Sequence, residues 1–303
     1  MNPQGGDVRK ACTGIIAGVA GVLLLSALAA AQNAAGQNTA PRSPWKYYPE
    51  DVRANAGDGG PAPKRDLTGT WAGPNSGAGA ARGRGSAPPP FTPLGQQLMD
   101  KMRPIGIYSP GGTNDPHARF CDPVGFPRNM SDEMRGITIV TGPNRTFLLL
   151  MFMNIWREVW TDGRALPTNF ARGADAHDPT YNGYSVGRWQ DDYTFVVDTT
   201  GMAPETWVAR AGYPHSVDAR VQERYHRDSK NDLTLTVTMD DPKLYTKPFF
   251  LGETHFRWIP NQKLYDFTCI PSSTQMYIKE MGDPAGSDPD TARGQRGRGR
   301  GPN

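Results

Sequence analysis

Residues 219–241 read ARVQERYHRDSKNDLTLTVTMDD. In the second half Leu233, Leu235, Val237 and Met239 alternate with Thr234, Thr236 and Thr238. That period of two belongs to an extended strand with one apolar face and one polar face. In the first half Val221, Glu223 and Tyr225 share one face, and Arg220, Gln222, Arg224 and His226 share the other. The linking DSKND is made of turn-forming residues, so the stretch predicts a β-hairpin. Placing Val221 on the buried side with Leu235 carries Glu223 inside as well. An inward carboxylate must be paired, protonated or ligand-bound, because an isolated buried charge is very costly.

The same period extends outward in both directions. ITIV (137–140) and RTFLLLMFM (145–153) flank TGPN, IWREVW (155–160) runs into TDGR, and GYSVGRW (183–189) is followed closely by YTFVVDTT (193–200). Towards the end, THFRWIP (254–260) and LYDFTC (264–269) flank NQK, and near the start DLTGTW (66–71) reads as a first short strand. Tyr193, Phe195 and Val197 oppose Thr194, Val196 and Asp198 in the same manner. TPLGQQLMDKMRP (92–104) is the exception: Leu94, Leu98 and Met102 are spaced by four between Pro93 and Pro104, which predicts one short amphipathic helix. The chain between the strands offers no long helical period, and a parallel sheet needs such crossovers. Eight or nine strands would leave apolar edges unless the sheet closes or doubles over. The expected fold is therefore all-β: a single antiparallel β-barrel or strongly curved β-sandwich over residues 66–280, with one short N-terminal helix.

The termini differ in composition. Arg9 and Lys10 precede an uncharged run of Gly, Ala, Val, Ile and Leu reaching Ala31, so residues 1–31 read as a secretory signal peptide, with an uncleaved membrane anchor as the competing reading. Export to the periplasm or the medium follows from cleavage. Residues 32–65 form a flexible leader rich in Ala, Asn, Gly and Pro, with one aromatic knot, SPWKYYPE (43–50). Residues 281–303 form a disordered Arg-Gly tail. The formal net charge of +3 is nearly balanced, so no global field selects nucleic acid, and in an exported protein the tail suits an anionic envelope surface rather than RNA. Removal of the leader peptide takes Cys12 with it. The remaining Cys121 and Cys269 are expected to form a disulfide, with a long-loop contribution of about 4–5 kcal/mol.

Two chemistries compete for the functional residues. His215 in GYPHS, with Ser216 beside it and Asp198 or Asp218 as carboxylate partner, suggests a periplasmic hydrolase or lyase. No Gly-x-Ser-x-Gly elbow accompanies it, and the competing account is a loop imidazole bonded to backbone. The five histidines, at 117, 177, 215, 226 and 255, make no His-x-His or His-x-x-x-His pair, so neither a metal nor another cofactor is expected. The binding reading starts from Glu223 and takes Arg188, on the Tyr184 and Val186 face of its strand, as its partner. Tyr225, Trp189 and Tyr184 would wall the site. The leading expectation is a non-catalytic protein that holds an apolar or amphiphilic small molecule within the barrel. The hydrolase and an envelope interaction module are the alternatives.

DLTGTW, CDPVGFPR, TDGRALP, GYSVGRWQDDYTFVVDTTG, PHSVDARVQERYHR and VTMDDPKLYTKPF, in that order, resemble an uncharacterised family of exported bacterial proteins of Acidobacteria and Proteobacteria. The resemblance covers about residues 66–270 and implies export and a single β-rich domain; it implies no reaction. GTW (69–71) is also similar to the Gly-x-Trp opening of lipocalins, which implies a lipocalin-like barrel with Trp71 closing its floor, although WTDGR only loosely matches the later lipocalin turn.

Overall fold

Most of the expected strands are segments of a single closed wall. In the computed structural model, which describes residues 59–73, 88–105, 107–108, 112–171, 176–260, 263–264 and 267–282, that wall is a nine-stranded barrel. Its strands are β1 (Gly69–Ala72), β2 (Gly136–Thr141), β3 (Arg145–Leu150), β4 (Ile155–Trp160), β5 (Tyr184–Trp189), β6 (Thr194–Thr200), β7 (Arg220–Arg227), β8 (Asp232–Asp240) and β9 (Phe249–Trp258). They pair in chain order, and β1 closes the ring by pairing with β9 as well as β2. The expected signal peptide 1–31, nearly all of the leader 32–65 and nearly all of the tail 281–303 lie outside the described residues.

Alternation builds the core. Leu233, Leu235, Val237 and Met239 on β8, Val221 and Tyr225 on β7 and Phe195 and Val197 on β6 join Trp71, Ile137, Ile139, Leu148 and Val159 in one packed cluster. Full burial of each such side chain stabilises by roughly 1.5–3 kcal/mol. Thr234 and Thr236 face the other way and are half-buried.

Four features depart from the expected plan. The β4–β5 pair is parallel, the chain returning between them through residues 161–183 with no helix among the described residues of that stretch; every other strand pair described is antiparallel. The last strand begins at Phe249, and the described residues of LYDFTC contribute no strand: Phe267 makes only an isolated bridge to Phe152. Nine strands with one parallel pair also differ from the eight of an up-and-down lipocalin barrel. Finally, the expected helix is present as Pro93–Met99, capped by Thr92 accepting from the Gly95 amide, but further short helices occur at Pro116–Phe120, Arg128–Ser131 and Pro271–Tyr277.

Both ends of the barrel are covered. At one, fully buried Trp71 donates its indole N–H to the Leu67 carbonyl at 3.0 Å, and the Arg227 guanidinium lies 4.7 Å from its ring centroid. At the other, residues 113–135 form a cap. Phe126 is fully buried there, and its amide donates to the Tyr181 carbonyl at 2.7 Å. Arg128 grips Asp115 through two hydrogen bonds of 2.9 and 2.8 Å, inside the same segment. Cys121 stands at disulfide distance from Cys269, with Cα atoms 5.5 Å apart, so the cap is tied to the chain that follows β9.

Candidate functional site

Parallel pairing of β4 and β5 is brief. Only Val159 with Ser185 and Trp160 with Val186 are in register, so the earlier part of β4 and the chain entering β5 diverge towards the cap. The wall is open there, and the opening is a cleft of about 630 Å³ lined by Pro123, Asn154 to Glu158, Trp160 and Thr180 to Ser185. That volume lies within the range of small-molecule sites, about 300–1,000 Å³.

Strand phase decides what each residue does in this cleft. On β4, Arg157 and Val159 point into the barrel and are buried, while Trp156, Glu158 and Trp160 point outward. Trp156 is 61 % exposed and Tyr181, on the facing segment, 40 % exposed. Trp156 leans on Phe147 of β3, with ring centroids 6.3 Å apart. The Arg145 and Arg164 guanidiniums lie 3.9 and 3.4 Å from the Trp160 ring centroid. Arg164 also donates to the Tyr184 hydroxyl at 3.0 Å, which holds that ring in the wall. Gly183, at φ +65, starts β5 where a Cβ would lie 2.7 Å from the Thr200 carbonyl oxygen, so the sharp entry to the cleft requires glycine.

The cleft floor is a buried polar cluster. Arg157, 1 % exposed, donates to both carboxylate oxygens of Glu223 at 2.9 and 2.8 Å. It also reaches the hydroxyls of Ser185 and Thr199 at 3.3 and 3.4 Å, and its guanidinium lies 3.8 Å from the Phe126 ring centroid. The Tyr225 hydroxyl donates to Glu223 at 2.8 Å. Burial works against the Arg157 charge, but the Glu223 carboxylate outweighs it and holds the guanidinium protonated. Burial, then the neighbouring carboxylate, drives the Tyr225 phenol well above its ordinary range, so it stays a donor. Asn129 Nδ2 donates to Asn182 Oδ1 at 2.8 Å behind the cleft wall. Within the floor, Arg157 Nε is buried with no hydrogen-bond partner.

Glu223 faces inward, as its alternation with Val221 and Tyr225 requires. Its partner is Arg157, however, and the expected Arg188 pairing is overturned. On β5 the inward positions are Ser185 and Gly187, which leaves Tyr184, Val186 and Arg188 outside. Arg188 is exposed and bonds Asp198 on the outer surface. Trp189 packs on the core against Phe195, ring centroids 5.2 Å apart. Tyr184 lines the cleft, whereas Trp189, Glu223 and Tyr225 line none of the clefts described here. Tyr225 belongs to the packed core and Trp189 packs against it.

The triad around His215 is likewise not assembled. His215 is 4 % exposed; its Nδ1 lies 3.0 Å from the Ser216 carbonyl and its Nε2 2.8 Å from Thr206 Oγ1. Burial lowers its basicity. Asp218 is exposed and pairs with Lys243, and Asp198 accepts from Arg188 and Gln222. The Ser216 hydroxyl donates to Asp241 at 2.9 Å rather than to the imidazole. The loop-imidazole account describes this geometry. Among the described residues no group of three or more His, Cys, Asp or Glu is placed to hold a metal ion.

Sequence reasoning passed over Arg157 and Tyr181, and it counted Trp156 only among the strand aromatics that could face the interior. The signal for Arg157 was available: in IWREVW the arginine shares its face with Ile155 and Val159, and an inward Glu223 demands a cation. No family model, no curated protein and no solved structure matches this chain, so the site's meaning rests on its chemistry.

Proposed function

We propose that this protein is a non-catalytic binder that receives a small amphiphilic molecule in the cleft where β4 and β5 part. The supporting observation is a pair of solvent-facing aromatic rings, Trp156 and Tyr181, set over a buried polar floor in a cleft of small-molecule size. Rings left in water on an otherwise well-packed barrel gain apolar contact when a ligand covers them. Arg157 is already neutralised by Glu223, so the floor provides rigidity and hydrogen bonds rather than a free charge. Export to the periplasm, inferred from residues 1–31, belongs to the same reading, since a binder there meets molecules from outside the cell.

Native mass spectrometry of the protein purified from its own host tests the reading. The wild type is expected to carry a small-molecule adduct that Trp156→Ala lacks. An adduct retained by Trp156→Ala, or no adduct in the wild type, counts against the cleft as the ligand site.

A further inference from the structure

We infer that the ligand of this cleft is an uncharged oligosaccharide laid across Trp156, an assignment that rests on the cleft being a ligand site. Three observations on independent residues lead to this class. The first is charge. Every charged group of the cleft has an internal partner: Glu158 with Arg145 at 2.7 Å and Arg157 with Glu223 at 2.8 Å. The neighbouring Arg164 is likewise held, by Asp162 at 2.6 Å. A site whose charges are already matched gives an ionic ligand little to pair with and imposes a desolvation penalty on it.

The second is the kind of surface. Trp156 and Tyr181 are broad, rigid and wet, while Asn154, Asn182 and Thr180 stand beside them with neutral hydrogen-bonding groups. Asn182 Oδ1 is taken by Asn129, which leaves its Nδ2 as a donor with no partner among the described residues. A lipid tail in such an open cleft would remain half in water. A pyranose ring presents an apolar C–H face to an aromatic ring and hydroxyls around its edge to amides, so one ligand satisfies both kinds of group.

The third is extent. A second cleft of about 370 Å³ lies on the other side of Trp156, and the two share Asn154, Ile155 and Trp156. The indole therefore stands as a ridge between two depressions. The second depression is lined by Leu149 and Leu264 and adds one cation, Lys263. An extended chain fits this shape, with one unit over the ridge and a neighbour on each side, whereas a single compact molecule would use one depression and leave the other empty.

Isothermal titration with the full chain tests the assignment. The probes are the tetramers of α- and β-linked glucose, of β-linked N-acetylglucosamine and of galacturonate, together with the uncharged fluorophore N-phenylnaphthylamine followed by its emission. At least one neutral tetramer is expected to bind, and more tightly than its disaccharide. Trp156→Ala and Tyr181→Ala should each weaken it by about tenfold or more. Trp156→Phe should restore part of the loss. Phe250→Ala, an exposed ring on β9, should change nothing. All of these positions are at the surface, and matched melting curves for the variants exclude misfolding as the cause. A fluorophore that binds at Trp156 while no tetramer does overturns the saccharide assignment and leaves the cleft as a ligand site. Failure of every probe overturns both. Tighter binding of tetragalacturonate than of the neutral tetramers overturns the uncharged class and puts Lys263 in its place as the selecting group.

Discussion

At Arg157 and Glu223 two full charges face each other with side chains 1 % and 0 % exposed. Their attraction has to offset the loss of hydration at both ends, and Tyr225, Ser185 and Thr199 help by satisfying further hydrogen-bonding positions, although Arg157 Nε stays without a partner. Glu223→Gln should therefore destabilise the barrel by about 3–5 kcal/mol, since it strands the guanidinium without a counter-charge. Arg157→Met combined with Glu223→Leu should recover most of that loss. Urea unfolding of Arg157→Met, Glu223→Leu and their combination closes the cycle, and additive effects would rule out the pairing. His215 and His117 set a separate, pH-dependent contribution. Burial lowers both below the ordinary value near 6.5, so as pH falls the unfolded chain takes up protons before the folded one does. Stability should be level above about pH 7 and decline from roughly pH 6.5 towards pH 5. His215→Gln should flatten that decline in urea midpoints measured across the range, and a wild-type midpoint that rises on acidification would refute the assignment. Asp132, raised by burial, opposes this trend.

At the level of the strand, phase is what sequence reading captured on β8 and lost on β5. β8 announces itself because its outward positions are threonines and its inward ones aliphatic. β5 inverts the cue: outward Tyr184 and Val186 are large and apolar, and the inward places are taken by Ser185 and Gly187. The reason is local crowding. A Cβ on Gly187 would lie 2.4 Å from Phe195 Cζ and 2.7 Å from Val159 Cγ1, so neighbouring strands fill the space that a side chain of β5 would take. Gly187→Val should thus cost about 1–3 kcal/mol by overpacking. Val186→Ala, on the half-buried outer face, should cost less, and guanidinium midpoints in which Val186→Ala is the more damaging change would show the phase to be the reverse. β4 misleads in the same way, with Trp156 and Trp160 outside and Arg157 within. The outward face of β4 is carried by large rings instead of polar residues, which is why the aromatic content was legible and its location was not.

For the molecule as a whole, closure was legible because the chain supplies many alternating strands and little else to cover their edges. What the strands could not announce is where the wall would be weakest. Antiparallel neighbours joined by short turns pair along their length, as β7 does with β8 from Arg220–Asp240 to Arg227–Leu233. The long return through residues 161–183 brings β5 in parallel instead, held to β4 at two positions. Phe126, Arg157 and the aliphatic core pack the interior beside that seam, and the cleft runs along it. Hydrogen exchange read by mass spectrometry should follow the same geometry. Amides of 155–158 and 183–185 are expected to exchange faster than those of 221–226 and 233–239, because few inter-strand bonds must break to open the seam. A ligand seated over Trp156 bridges the two lips, so its addition should slow exchange at 155–158 and 180–185 while leaving β7 and β8 unchanged. Protection that rises instead around the whole barrel would mean that binding tightens the fold globally, and equal exchange at the seam and at β7–β8 would mean that the parting of β4 and β5 is no weakness at all.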